Sequence, residues 1–347
     1  MKKYCFYQIS QIRNIIFGLA TLLIIVFHSN KLNEASSVDL VNRIFNIPLT
    51  YGSIGVDIFL LLSGVGLYFS FSSNEDVKEF YYRRAVRLLP ALLIVSLVFS
   101  IIGVILGEFN ILQGVLSVLL LSFWIYGDRT FWYFSLLLVL YAVYPIVYRI
   151  LKKYKFRGLV FLILIWSLAI IGLFKLNHDA FLIYEIALTR VYVFLIGAWI
   201  GEYIKNKKEL NYYVVLFSSV IMILLFSIII LLNSDRLNEH VYILRLLYCP
   251  LSVALVIFLS IVIPKKESFI NTVLIWYGGL SCEMYLLYER FIRYPFSIIL
   301  NYFSFREFLY LYYLIAFILT SVFAYILSKI CSVIQDAIYK RCNKSEA

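Results

Sequence analysis

The sequence predicts an all-α protein: a polytopic membrane helical bundle of ten transmembrane helices with one re-entrant or interfacial helix. Two observations give the class and a third gives the count. Hydrophobic residues make up 63% of the 347 positions and charged residues only 15%, against about 25% charge in an ordinary soluble domain. The apolar residues fall in runs near the ~20 that cross a bilayer as a helix. Lysine and arginine gather in the turns between particular runs, as they do on the cytoplasmic side of membrane proteins.

The first run begins near Ile12, behind Lys2, Lys3 and Arg13, and ends on His28. No small-residue cleavage site follows, so it reads as a retained span rather than a signal peptide. Further runs lie near 54–71, 88–106, 110–126, 131–148, 159–174, 186–204, 211–232, 241–263, 270–290 and 308–330. The turn 73–87 carries Lys78, Arg83, Arg84 and Arg87. The turn 149–157 carries Arg149, Lys152, Lys153, Lys155 and Arg157 with no acid. Two cytoplasmic turns must be separated by an even number of crossings, yet three runs lie between them. The run 110–126, with Gln113, Gly114, Ser117 and Ser122, is the most polar of the three and is expected not to cross. Lys205, Lys207, Lys208, Lys265, Lys266 and the tail with Lys340, Arg341 and Lys344 then all fall inside, with both termini in the cytoplasm. The largest outer loop, about 29–53, is too short for a domain of its own, so 1–347 reads as a single integral-membrane domain.

The formal charge of +11 would point to nucleic acid in a soluble protein. Here basic residues retained on the inner side account for it, and no nucleic-acid partner is expected. The cysteines, Cys5, Cys249, Cys282, Cys331 and Cys342, show no paired spacing. Neither a disulfide framework nor a zinc site follows from them, and no metal is expected.

Charged groups inside a bilayer are costly, which makes each a functional candidate. His28 closes the first span and Asp57 opens the second, so both stand at the outer side. A carboxylate that holds an imidazole in one tautomer turns it into a general base for a hydroxyl. The plainer reading is an interfacial histidine and a helix-capping acid. Arg83, Arg84 and Arg87 suit a phosphate-bearing donor, since guanidinium binds phosphate bidentately. They equally suit an orientation signal with lipid headgroup contacts. Pro90 fits the first turn of the following helix. Glu283 in the 270–290 run and Arg190 at the outer entrance of the 186–204 run line a polar cavity or pair with one another. Most of the 29 Tyr and 29 Phe belong to lipid-facing surface and interfacial belts.

Several separated stretches together resemble the integral-membrane acyltransferase family 3. Gly18-Leu19-Ala20 leads to His28. Asp57-Ile58-Phe59 is followed by Ser63-Gly64, and Arg84-Ala85-Val86-Arg87 forms an Arg-x-x-Arg motif. Phe131-Trp132-Tyr133 with Tyr141 and Pro145, Arg190 through Gly197, and Gly278 through Leu287 fit later spans. The resemblance covers about residues 10–290. It implies ten spans with inside termini in a bacterial plasma membrane, and acyl transfer from cytoplasmic acyl-CoA to glycan hydroxyls. It also implies His28 and Asp57 as catalytic residues and Arg83, Arg84 and Arg87 as donor-binding. Asn14, Ser63, Trp132, Arg190, Glu283 and Tyr288 are implied as cavity-lining candidates. The sequence departs from the family pattern where members carry an arginine eleven residues before the histidine: Phe17 stands here, with Arg13 one turn earlier and ~22 Å from His28 along an ideal helix. Asn14 replaces a common aspartate, Leu136 and Leu137 replace carboxylates, and Tyr288 replaces a common histidine.

The expected function is therefore a membrane O-acyltransferase that moves an acetyl or other acyl group onto an envelope or exported polysaccharide. No bound cofactor is expected: acyl-CoA, foremost acetyl-CoA, is the donor substrate, and the partners are the lipid bilayer and the glycan acceptor. The alternatives are a polysaccharide flippase or polymerase, disfavoured by the short outer loops and few intramembrane charges, and a catalytically inactive family member.

Overall fold

The computed structural model describes residues 4–29, 49–231, 241–264, 268–288 and 309–345. Lys2, Lys3, His240, Lys265, Lys266 and most of the expected outer loop 29–53 lie outside the described residues. The protein is an all-α, multi-pass membrane protein. Its one sheet among the described residues is a pair of two-residue strands, β1 (Tyr4–Cys5) and β2 (Glu209–Leu210), antiparallel with Tyr4 opposite Leu210.

The short helix α1 (Tyr7–Gln11) leads into α2 (Arg13–His28), which ends on the expected histidine. Helix α3 (Ile54–Phe71) matches the second apolar run. Helix α4 (Val77–Ile105) departs from expectation at its start. The charged stretch that reads as a turn is helical from Val77, so Arg83, Arg84 and Arg87 ride on α4 itself. Residues 77–89 are mostly good helix formers, and Arg83 donates to Glu79 one turn back at 2.6 Å, an i,i+4 pair. Pro90 is accordingly a buried residue inside a helix, not the opening of one, and removes one backbone donor there.

The run 110–126 breaks into α5 (Ile111–Val118) and α6 (Ser122–Tyr126). Eight residues of helix extend ~12 Å, so neither piece crosses a ~30 Å hydrocarbon core as a helix. Asn110 and Gln113 start α5 with a capping box: the Gln113 amide donates to Asn110 Oδ1 at 2.8 Å, and the Asn110 amide to Gln113 Oε1 at 3.0 Å. Leu120 takes a positive φ of 58° between the two helices. Its carbonyl is satisfied by Ser135 Oγ at 2.8 Å. Gly127, at φ 70°, ends α6 in the left-handed conformation that glycine adopts freely.

Helix α7 (Trp132–Leu176) contains both of the next two runs, broken at Lys155 with φ 50° and ψ −127°. Next come α8 (His178–Leu188) and α9 (Val191–Lys205), interrupted at Thr189 and Arg190. They are followed by α10 (Tyr212–Leu231), α11 (Val241–Val262), α12 (Phe269–Gly279), α13 (Ser281–Tyr288) and α14 (Leu309–Ser345). Among the described residues, with α8 and α9 taken together as His178–Lys205, seven helices are long and apolar enough to cross a membrane, and Arg13–His28 is a shorter apolar one. A count of ten is reached only if Trp132–Leu176 crosses twice about its break and both α2 and the α12–α13 pair cross as well.

The chain divides into two compact units. The first comprises Met1–Ala20, Ile54–Val77 and Leu136–Leu274, the second Thr21–Ser53, Lys78–Ser135 and Ile275–Ala347. In the first, α3 and α9 pack backbone to backbone. A methyl group at Gly197 would collide with the Leu61 carbonyl, one at Gly64 with the Phe194 carbonyl, and one at Gly201 with Tyr68. Small residues are what let membrane helices approach this closely. In the second unit, Ile25, Leu280, Met284, Tyr288, Tyr313, Ala316 and Ala324 form a core between the end of α2, α13 and α14. Helix α14 also meets α4, where Tyr339 packs edge-on to Tyr82 and Gln335 Nε2 donates to the Arg87 carbonyl at 3.2 Å.

Candidate active site

His28 is the last residue of α2, half-buried, and its ring is set by its own helix. Nδ1 lies 2.8 Å from the carbonyl oxygen of Ile24, one turn back. A carbonyl can only accept, so Nδ1 carries the proton in this pair and the neutral ring presents a lone pair at Nε2. Among the described residues Nε2 has no hydrogen-bond partner. The orienting group expected from the sequence was the carboxylate of Asp57. The structure gives that position to a main-chain oxygen.

Tyr288 stands beside this histidine, ring centroids 6.2 Å apart and nearly perpendicular. Its hydroxyl is 2.9 Å from the Ile25 carbonyl and 2.7 Å from Ser29 Oγ. One turn before it on α13, the Tyr285 ring lies tilted against Tyr133 at 5.0 Å and edge-on to Phe134 at 5.6 Å. These follow Trp132, itself buried and edge-on to Tyr133. An aromatic wall therefore surrounds α13 within the second unit.

The arginine motif belongs to the same unit. Arg83 is tied to Glu79 and Arg84 lies over the Phe80 ring at 5.7 Å. Arg87 is exposed and near enough to Glu283 to act on its carboxylate. Spaced three residues apart on a helix, Arg84 and Arg87 point to one side of α4.

Asp57 lies in the first unit with a different partner. It is fully buried, and Arg190 Nε donates to its Oδ2 at 3.2 Å. Arg190 also donates from Nη1 to the Ile186 carbonyl at 2.9 Å. Arg190 occupies the N-cap position of α9, at the interruption between α8 and α9, without a side-chain cap bond. Other freed groups there are satisfied in turn: Trp166 Nε1 donates to the Leu188 carbonyl at 2.9 Å, and Thr189 Oγ1 to the Glu185 carbonyl at 2.6 Å. A second buried ion pair, Arg245 with Glu185, adjoins it, and Arg245 acts electrostatically on Asp57 as well. Asp57 Oδ1 has no hydrogen-bond partner among the described residues. Of the remaining candidates, Asn14 is exposed and Ser63 half-buried, and neither joins this network. Arg190 and Glu283, read from the sequence as possible partners for one another, belong to different units and have partners within them.

A family model described as an acyltransferase domain matches residues 16–329, which include α2 through most of α14. The chain belongs to the acyltransferase 3 family. Two proteins of Staphylococcus aureus, from strains COL and MSSA476, are each 25% identical to it over 317 residues. Both carry the name "Putative O-acetyltransferase". The match covers 78% of this chain and 48% of each relative, so this acyltransferase 3 chain spans about half the length of the curated relatives it matches. No solved structure matches it.

Sequence reasoning missed Ser29, a partner of Tyr288, and Glu185, the partner of Arg245. Glu185 carried a signal, an acid within an apolar stretch five positions before Arg190, but it falls one residue outside the run taken to begin at 186. Ser29 carried none, because its role depends on a tyrosine far along the chain.

Proposed function

We propose that the chain is a membrane O-acyltransferase that moves an acetyl or other acyl group from acyl-CoA to a hydroxyl of an envelope or exported polysaccharide. The observation that carries this reading is the state of His28, with Nδ1 engaged on a carbonyl and Nε2 free to take a proton. Nε2 removes the proton of the acceptor hydroxyl as its oxygen attacks the thioester carbonyl. The bond from carbonyl carbon to sulfur breaks, and the departing thiolate takes the proton from the imidazolium. An alcohol and a thioester become an ester and a thiol, with no other reactant required. Arg84 and Arg87 bind the donor's phosphates from the cytoplasmic side, with Arg83 contributing less because Glu79 holds it. Asp57 serves in the buried ion pair with Arg190, not on the imidazole. The bundle lies in a bacterial plasma membrane with both termini inside, and the segment 110–126 lies at the outer surface without crossing.

The competing reading is an inactive family member. It draws on Phe17, where the pattern has a cation, and on Arg13, whose guanidinium lies over the Phe17 ring at 5.1 Å and against Gly66. Mass spectrometry of the surface glycan decides between them. A deletion strain should lose an acyl mass at unchanged chain length, restored by the wild-type gene and not by His28→Ala. A glycan with its acyl groups intact in the deletion strain would refute the transferase reading.

A further inference from the structure

We propose that Tyr288 is a positioning residue for His28, acting through its hydroxyl on the last turn of α2. This rests on the reading of His28 as the base.

A helix leaves its last carbonyls without partners inside the helix, and an unpinned last turn frays. Here three successive carbonyls at this end, those of Ile24, Ile25 and Val26, have a donor from a side chain or from the residue after the helix. Ile24 O accepts from His28 Nδ1 at 2.8 Å, and Val26 O from the Ser29 amide at 3.0 Å. Ile25 O lies between them. It is approached by the Tyr288 hydroxyl at 2.9 Å and by Ser29 Oγ at 3.0 Å, and those two oxygens are 2.7 Å apart. Two hydroxyl protons satisfy the triangle when Ser29 donates to Tyr288 and Tyr288 donates to Ile25. The phenol thus ties α13 to the one carbonyl adjacent to the one that holds the imidazole.

Two consequences follow for the ring. Pinned through Ile25 O by Tyr288, the last turn keeps Ile24 O in place as the acceptor of Nδ1–H, whereas a frayed turn would release the ring to either tautomer. The edge of the Tyr288 ring, 6.2 Å away at 71°, limits how far the imidazole turns. The tyrosine itself has little freedom, being 2% exposed and packed with Met284 and Tyr313. The direction of the Nε2 lone pair is thereby fixed before substrate arrives. Such prior orientation matters because a misplacement near 1 Å costs up to about a hundredfold in rate.

Tyr288→Phe keeps the ring and its packing and deletes the hydroxyl. In the full chain, purified in lipid nanodiscs, turnover should fall ~10- to ~100-fold with KM for acetyl-CoA within about twofold of wild type. The decisive readout is independent of turnover: ¹⁵N NMR of labelled histidine, in a background carrying His178→Gln and His240→Gln. Wild type should show His28 as the single tautomer protonated at Nδ1, and Tyr288→Phe a mixture of both. Ser29→Ala, which leaves the Tyr288 hydroxyl on Ile25 O, should keep the single tautomer, and a mixture of tautomers in it would assign the pinning to Ser29 and overturn the proposal even if Tyr288→Phe does not fold. An unchanged tautomer in folded Tyr288→Phe likewise overturns it, even if turnover falls. A changed tautomer at undiminished turnover leaves the positioning in place and removes His28 from the chemistry.

Discussion

The two units treat their polar groups in opposite ways. In the first, buried charge is answered by opposite charge: Asp57 by Arg190, and Glu185 by Arg245. In the second, His28 is held at one ring nitrogen by a main-chain oxygen, and its other nitrogen has no partner among the described residues. The carboxylates of the first unit are engaged by guanidinium groups, whereas the imidazole of the second is anchored at one nitrogen, which suits the base proposed for it. The difference teaches that an intramembrane charge read from the sequence does not by itself say which group it will engage. Asp57 reads from the sequence as half of a catalytic dyad because it is an acid in an apolar run, and in the structure its Oδ2 accepts from Arg190.

The contrast is sharpest at its two centres. His28→Ala should reduce acylation by about 10²–10⁴, measured as acyl content of the glycan, at unchanged protein level and insertion. Arg190→Gln should instead destabilise the protein by about 3–5 kcal/mol, because it leaves Asp57 buried without its partner. Adding Asp57→Asn should recover much of that loss, as read by denaturation in detergent. Should Arg190→Gln leave stability unchanged but abolish turnover, the first unit would be more than a scaffold and the comparison would fail.

Arg87→Ala comes next. A hydrogen bond to a charged group contributes about 1.5–3 kcal/mol, so donor affinity should weaken roughly ten- to a hundredfold, with Arg87→Lys restoring it poorly. Titration with a non-hydrolysable acyl-CoA analogue reads this directly. Equal affinity in wild type and Arg87→Ala would return the arginines to an orientation role.

The smallest effect belongs to Glu75, in the turn after α3. Its carboxyl is held below its ordinary value of 4.5, first by the hydrogen bond from Lys152 and then by that from Tyr148. A depressed carboxylate contributes stability above its ordinary range and loses it as pH falls through the lower, folded value. Glu75→Gln should therefore flatten the acid side of the stability profile. The change should stay below about 1 kcal/mol, since the side chain is 42% exposed and surface pairs contribute little. A larger loss would show that this exposed pair matters as much as the buried ones.

Much of the fold was legible in the sequence because apolar runs and bilayer-spanning helices answer to the same physical requirement. The run 110–126 was identified as odd by parity, and Gln113, noticed for its polarity, proves to be part of a helix cap. What escaped was whatever depends on main chain or on distant partners. The start of α4 at Val77 was hidden because charged residues read as a turn although they are good helix formers. The interruption at Thr189 and Arg190 carries neither glycine nor proline. The Ile24 carbonyl could not be foreseen as the histidine's partner, since every residue supplies a carbonyl. His28 was visible from its place at the end of a run, but the triangle of Tyr288, Ser29 and Ile25 joins residues with no local pattern.

The glycines between α3 and α9 have a mechanical consequence. Gly64 lies under the Phe194 carbonyl and Gly197 under that of Leu61, so each helix offers a notch to the other. Sliding either helix along the other would carry each glycine away from the carbonyl it accommodates, where only hydrogen fits. The pair is keyed like two toothed bars and moves as one piece or not at all. Close packing of this kind makes the two helices behave as a single beam.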